Sequence, residues 1–363
     1  MSLPEPAPSS SEQHEAAQIY HAIATTLSTA SVSPTRIEFL SDAHPLPSGL
    51  LVQKDATNIY IPKRNLVKAY IYARHIFFSS ANSKTKYTAT YVLLLLNPEH
   101  LSAANFRRRY ILGSGDDKRE LVKESMIYME SMFRSPLNRN TKSPTLWSFR
   151  KWLMKELDTF NLKNEMDIVL CAAETHLRNV YAWDYLRWLL TFKYISDEGY
   201  NDTSNSEVDV LQTCEQWCLH HPSDTSGWSF LSWLLTCWPS TQSSMSLRTQ
   251  QILQNVLEKV TTYKLRNEAL WCFLRTMSRH ESTSLQQKQS IELEARALFK
   301  SNAGNSCSRS MRNITAWLQS WGWSAYSETL LKFLLIPRAQ RVISNLVWCQ
   351  LVDELPSTMA TWS

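Results

Sequence analysis

Apolar residues recur three and four positions apart through most of the chain, as in Leu253, Val256, Leu257 and Val260. That spacing lines one face of a helix. It predicts helices over 166–177 ("MDIVLCAAETHL"), 207–221 ("EVDVLQTCEQWCLHH"), 247–264 and 286–302. Each is followed by a second helical segment built around tryptophan. "RNVYAWDYLRWLL" holds Trp183 and Trp188, "SDTSGWSFLSWLL" holds Trp228 and Trp233, and "RNEALWCFLRTM" holds Trp271. "SPTLWSFRKWLM", with Trp147 and Trp152, and "RNITAWLQSWGW", with Trp317 and Trp321, are of the same kind. "NPEHLSAANFRRRYI" joins the series if Ala104 stands in the tryptophan place. The anchors are then 43, 36, 45, 43 and 46 residues apart. A period of this size, with no strand signal inside it, predicts a stack of helix pairs.

Asn179, Asn267 and Asn313 each stand four residues before a tryptophan and are placed to cap the helix that follows. Asn97 opens the earlier copy. The loops before these caps are short, so consecutive helices should be antiparallel. The tryptophans at helical spacing are core, and a second tryptophan such as Trp188, one and a half turns on, can reach a neighbouring pair. The expected fold is all-α: a right-handed α/α superhelix, a solenoid of antiparallel helix pairs with almost no strand.

The ends depart from the repeat. Residues 1–13 read as a disordered tail, and 14–86 as an N-terminal extension with helices near 15–30 and 65–81. Within it, residues 34–63, with their prolines and short apolar pieces, read as irregular or extended. The repeats occupy 87–323, a polar loop is expected at 200–207, and 324–363 read as a helical cap.

Composition narrows the function. Among 363 residues, 44% are hydrophobic and 20% charged, an ordinary globular balance. Only 7 are glycine, which weighs against an all-β chain and against a glycine-rich phosphate loop. The net charge of +5 permits an acidic partner without demanding nucleic acid. Arg107–Arg109 resembles a basic patch, but its place in the repeat favours a structural use over nucleic-acid binding. Cys214 and Cys218, one helical turn apart before His220 and His221, lack the paired spacing of a zinc site. The seven cysteines are scattered, and "MSLPEPAPSSSEQ" has no apolar signal core, so a cytoplasmic, reducing setting is expected. The run Val92–Leu96 is too short to span a bilayer. The final "TMATWS" has no cysteine four from its end, so the chain is not itself a prenylation substrate of that type. No nucleophile–base motif is visible, and the chain alone is expected to be inactive.

The repeated order of asparagine (or Ser/Asp), tryptophan four later, and arginine three or four after that resembles the α-subunit repeat of protein prenyltransferases. Arg150 after Trp147, Arg187 after Trp183, and Arg107 and Arg108 after Ala104 carry it, with Trp228, Trp271 and Trp317 in the later copies. "LLLLNPEHLSAANFRRRYI", "KSPTLWSFRKWLMKEL" and "HHPSDTSGW" are similar to the divergent type 3 geranylgeranyltransferase branch. The resemblance implies a non-catalytic or regulatory α subunit wrapped around a β subunit, the one shared with Rab geranylgeranyltransferase. That β subunit would hold the zinc, the isoprenoid pocket and most contacts to a protein with a C-terminal cysteine, perhaps a SNARE. It also implies that Arg178 takes the place of a lysine facing the isoprenoid diphosphate. The tyrosine two residues further on is replaced by Val180, with Tyr181 one step away. The competing reading is a helical-repeat scaffold for protein or RNA-processing assemblies without transferase activity.

Overall fold

The structure is a computed structural model that describes residues 10–29, 33–44, 46–157, 161–196, 203–237 and 242–302. Asn313, Trp317, Trp321 and the cap at 324–363 lie outside the described residues. The chain starts with α1 (Ser10–Thr29), β1 (Arg36–Leu40), β2 (Gln53–Lys54), β3 (Asn58–Pro62), α2 (Lys63–Phe78) and α3 (Ser83–Leu96). Next come α4 (Leu101–Leu112), α5 (Lys118–Phe133), α6 (Asn138–Thr141), α7 (Pro144–Lys155), α8 (Leu162–Thr175) and α9 (Val180–Ser196). Then follow α10 (Thr203–His220), α11 (Thr225–Cys237), α12 (Gln242–Tyr263), α13 (Glu268–Ser278) and α14 (Leu285–Asn302). The fold is all-α and built from helix pairs.

Two compact units divide the chain, residues 1–252 and 253–363. In the first, α3 pairs with α4, α5 packs on α7, α8 pairs with α9 and α10 pairs with α11. The connections within pairs are a few residues long, which makes the partners antiparallel. The tryptophan-position helices also touch in series: α4 against α7, α7 against α9, and α9 against α11. Trp183 and Trp228 are buried in this unit, and Ala104 is buried in the same register. On the same helix Arg107 lies among the rings of Tyr87, Tyr91 and Tyr128. Gly227 sits where α11 meets α10. A Cβ there would lie 2.5 Å from the Trp217 ring, so a larger residue fits only if that ring shifts. In the second unit Val256, Val260, Leu270, Trp271, Phe273, Met277 and Ile291 form the buried set.

Two boundaries differ from expectation, and the stretch read as irregular or extended is partly a sheet. α1 begins at Ser10, four residues inside the stretch expected as tail. α10 begins at Thr203, so much of the loop expected at 200–207 is helical. Residues 36–62 form a three-stranded sheet in the order β1–β3–β2. Ile37 pairs in parallel with Ile59, and Ile37, Ile59 and Ile61 are fully buried. The other edge of β1 is tied to α5. The Thr35 amide donates to Ser131 Oγ at 3.0 Å and the Ile37 amide to Ser135 Oγ at 2.7 Å.

Candidate functional site: the loop edge around Arg178

At three successive anchors the residue four before the tryptophan has two jobs. Ser143, Asn179 and Asp224 each cap the helix they begin. Ser143 Oγ accepts from the Leu146 amide at 3.1 Å, and Asn179 Oδ1 from the Ala182 amide at 3.3 Å. Asp224 Oδ1 accepts from the Ser226 and Gly227 amides at 2.9 and 2.8 Å. Each also reaches back to the loop of the preceding pair. Ser143 Oγ donates to the Pro98 carbonyl at 3.2 Å, and Asn179 Nδ2 to the Thr141 carbonyl at 2.7 Å. Both carbonyls stand six residues before an anchor. A buried polar atom with such partners ties one loop to the next at little desolvation cost.

The indole N–H uses the same carbonyl rule. Trp147, Trp228 and Trp271 donate to the carbonyls of Thr141, Pro222 and Leu265, six residues back, at 2.8, 3.2 and 3.0 Å. Trp183 breaks the rule: its buried indole N–H has no partner among the described residues. The break coincides with a change of cap in the next pair. Asp224 is a carboxylate and can only accept, so the loop before α9 must present an N–H. It presents that of Arg178, which donates to Asp224 Oδ2. Arg178 takes φ +60°, and its carbonyl accepts from the Val180 amide at 3.0 Å, closing a three-residue turn. Arg266 precedes Asn267 in the same way, yet there the left-handed residue is Lys264, at φ +51°. The two "RN" turns therefore differ in backbone, which the shared dipeptide hides.

The Arg178 turn stands at the N-terminus of α9. Asn179 is buried, while Arg178, Leu177 and Val180 are exposed and Tyr181 is 39% exposed. No hydrogen bond or ion pair holds the Arg178 guanidinium among the described residues. A cation beside a helix N-terminus can hold an anionic group.

The two arginine places after the anchor separate. The third residue on is internal. Arg107 is fully buried and donates to Thr90 Oγ1, Tyr87 OH and Ser125 Oγ at 2.8, 2.9 and 3.0 Å. Its guanidinium lies 4.2 Å from the centroids of both the Tyr87 and Tyr91 rings. No carboxylate comes within ion-pair distance of it among the described residues. Arg150 is also fully buried, and pairs in bidentate fashion with Glu165 at 2.9 and 2.6 Å. The Tyr185 hydroxyl donates to the same carboxylate at 2.6 Å. Burial opposes the charge of Arg150, but Glu165 outweighs it and holds the guanidinium protonated; burial likewise pushes Tyr185 upward.

The fourth residue on is a bridge to the next pair. Arg108 donates to Ser148 Oγ at 3.3 Å and lies 5.7 Å from the Phe149 centroid. Lys151 pairs with Asp184 at 2.9 Å and lies 5.7 Å from the Trp188 centroid. Arg187 lies 5.4 Å from the Trp233 centroid. Arg107 is thus closed to nucleic acid, and Arg108 is spent on its neighbour.

Other candidates fall differently. Asn97 does not cap a repeat helix: it closes α3, and His100 Nδ1 accepts from the Ala103 amide at the start of α4. Asn267 occupies the N-cap of α13 without a side-chain capping bond. Cys214 and Cys218 are buried, with burial pushing both thiols up, and His221 pairs with Glu174. No group of ligands able to hold a metal occurs among the described residues, and no described helix is long and apolar enough to cross a membrane. The sequence marks Asp224 only as a substitute cap and does not single out Glu165 or Tyr185. One signal was available: Phe106, Phe149, Tyr185, Phe230 and Phe273 all stand two residues after an anchor.

Comparison with known proteins gives two kinds of match. Residues 146–256 match the family described as ECM9 middle domain. The chain is also similar to the geranylgeranyl transferase type-2 α subunits of several organisms. It is 30% identical to that of Candida albicans over 119 residues, 31% of this chain and 32% of that one. It is 29% identical to the Dictyostelium discoideum subunit over 109 residues, 35% of that chain. It is 30% identical to the Homo sapiens subunit over 104 residues, only 18% of that chain. The chain thus matches about a third of the length of the first two relatives.

Proposed function

We infer that the chain is the α-type subunit of a heterodimeric protein geranylgeranyltransferase, with no activity by itself. One observation carries this reading: tryptophan helices in a common register, joined loop to loop, in a chain similar to geranylgeranyl transferase α subunits. The partner is a β subunit holding zinc and the isoprenoid pocket, the one shared with Rab geranylgeranyltransferase. The acceptor is a protein with a C-terminal or near-terminal cysteine, such as a SNARE. The motifs at 93–111 and 142–157 support the type 3 branch. Arg178 supplies a cation to the diphosphate leaving group. Charge grows there as the carbon–oxygen bond breaks, so the cation stabilises the transition state beyond the ground state. The exposed Tyr181 stands within the same turn.

Co-expression with candidate β subunits, followed by purification and transfer of labelled geranylgeranyl diphosphate to an acceptor, tests the reading. A 1:1 complex that transfers lipid is expected. A folded monomer that ignores every β subunit would end it. A complex that forms yet transfers nothing would leave an adaptor built on the same repeat. In an active complex, Arg178→Ala lowers turnover by about ten- to a hundred-fold with the complex intact. Arg266→Ala, in the differently built turn, changes it little.

A further inference from the structure

Helix α2 packs against α1 and α3 and leaves one face uncovered. Leu66, Ala69, Ala73 and Phe77 are its buried residues. On the opposite side Val67, Ile71 and Phe78 are 47%, 64% and 64% exposed. At about 100° per residue the three fall within roughly 40° of one line, spread over about 16 Å of helix. Leu101, at the start of α4, is 62% exposed and extends the strip. Its neighbour His100 lies 6.4 Å, ring to ring, from Phe78. Single exposed apolar residues are ordinary, whereas a contiguous strip marks a contact surface.

The charged residues that α2 itself brings to the strip are all basic. On the helical projection Arg64, His75 and Lys68 flank it on one side and Lys63 and Arg74 on the other. Lys68 is paired with Glu15 of α1 at 2.7 Å. No acidic residue occurs between Asp55 and Glu99, while six lysines and arginines do: Lys63, Arg64, Lys68, Arg74, Lys84 and Lys86.

We propose that this face of α2 docks on an anionic lipid surface. The helix lies in the plane of the interface. Val67, Ile71 and Phe78 enter the boundary of the acyl region, and Lys63, Arg64 and Arg74 meet lipid phosphates. A helix with an apolar strip and basic flanks on both sides is built for that plane. An acidic protein helix fits less well. Such a ligand is gripped in a cleft between elements, and this strip runs along α2, with Leu101 of α4 added only at its end. A protein would also have to bring acidic groups to both flanks, which an anionic leaflet offers everywhere. The inference stands apart from the subunit reading.

The test is flotation of the full chain with vesicles of phosphatidylcholine containing about a third phosphatidylserine, against pure phosphatidylcholine. The chain should float with the anionic vesicles, at least about tenfold more weakly with neutral ones, and less as salt rises. Ile71→Ser with Phe78→Ser should lower binding about tenfold at unchanged helicity, because both side chains are exposed. Arg64→Glu with Arg74→Glu should do the same. Leu285→Ser, likewise exposed but at the start of α14, should change nothing. Absence of binding to anionic vesicles, or equal binding by wild type and Ile71→Ser/Phe78→Ser, overturns the proposal. So does a result in which those substitutions only dissociate a homodimer or release a protein partner, leaving flotation unchanged.

Discussion

At Arg178 the backbone occupies the left-handed region, which costs a residue with a Cβ about 1 kcal/mol. Arg178→Gly should therefore stabilise the chain by up to about 1 kcal/mol relative to Arg178→Ala in urea unfolding. Both remove the same charge, so any loss of transfer common to the two reports the guanidinium and not the turn. Asp224 is the other half of the device. Asp224→Ala removes the cap of α11 and strands the Arg178 amide, at an expected cost of about 2–3 kcal/mol. Asp224→Asn keeps an oxygen for the cap but turns an amide N–H₂ toward another N–H, costing about 1 kcal/mol. An Asn mutant as unstable as the Ala mutant would show that the cap needs the charge. None of this was legible in the sequence. Ser, Asn and Asp at one place read alike as caps, and only the fold shows that two of them donate to a loop carbonyl while the third accepts.

Pairs of helices were legible because tryptophan is large, rare and repeated at a near-constant distance from its cap. The division of labour between neighbouring arginines was not. Arg107 and Arg108 differ by 100° around α4, which decides between a buried tyrosine cage and a bridge to α7, yet the motif admits arginine at either place. The sheet was hidden for a different reason: β1 and β3 pair in parallel across seventeen intervening residues, and no local pattern announces that. At this scale the buried Arg150–Glu165–Tyr185 cluster gives the sharpest test. Arg150→Met leaves a buried carboxylate and should cost about 3–5 kcal/mol. Replacing all three, with Met, Leu and Phe, should recover most of that loss in the same unfolding assay. A triple variant as unstable as the single one would mean that the cluster contributes more than a hydrophobic packing of similar volume.

For the whole chain, one carboxyl sets a pH trend. Burial raises the pKa of Glu124, on α5, from 4.5 to about 7. Between those values the folded chain keeps a proton that the unfolded chain has released, so stability falls as pH rises from about 4.5 to 7 and levels off above. Glu124→Gln should remove that slope and stabilise the chain at pH 8 by on the order of 1–2 kcal/mol, partial exposure having reduced the effect. Thermal melts of both chains at pH 5 and pH 8 check it. Parallel pH curves would place the slope elsewhere.

The offsets that join one pair to the next hardly vary: four and six residues before the anchor, five where the Arg178 amide serves, and four after it. The distance between anchors does, ranging from 36 to 46 residues. The joints are standardised and the struts are not. A lineage carrying this architecture can therefore absorb insertions between anchors, for example between Ser196 and Thr203, without redesigning any junction. A single deletion between Leu177 and Trp183 would throw a whole junction out of register. Length variation in such chains should then collect between modules, in the manner of beads respaced on a string whose knots stay tied.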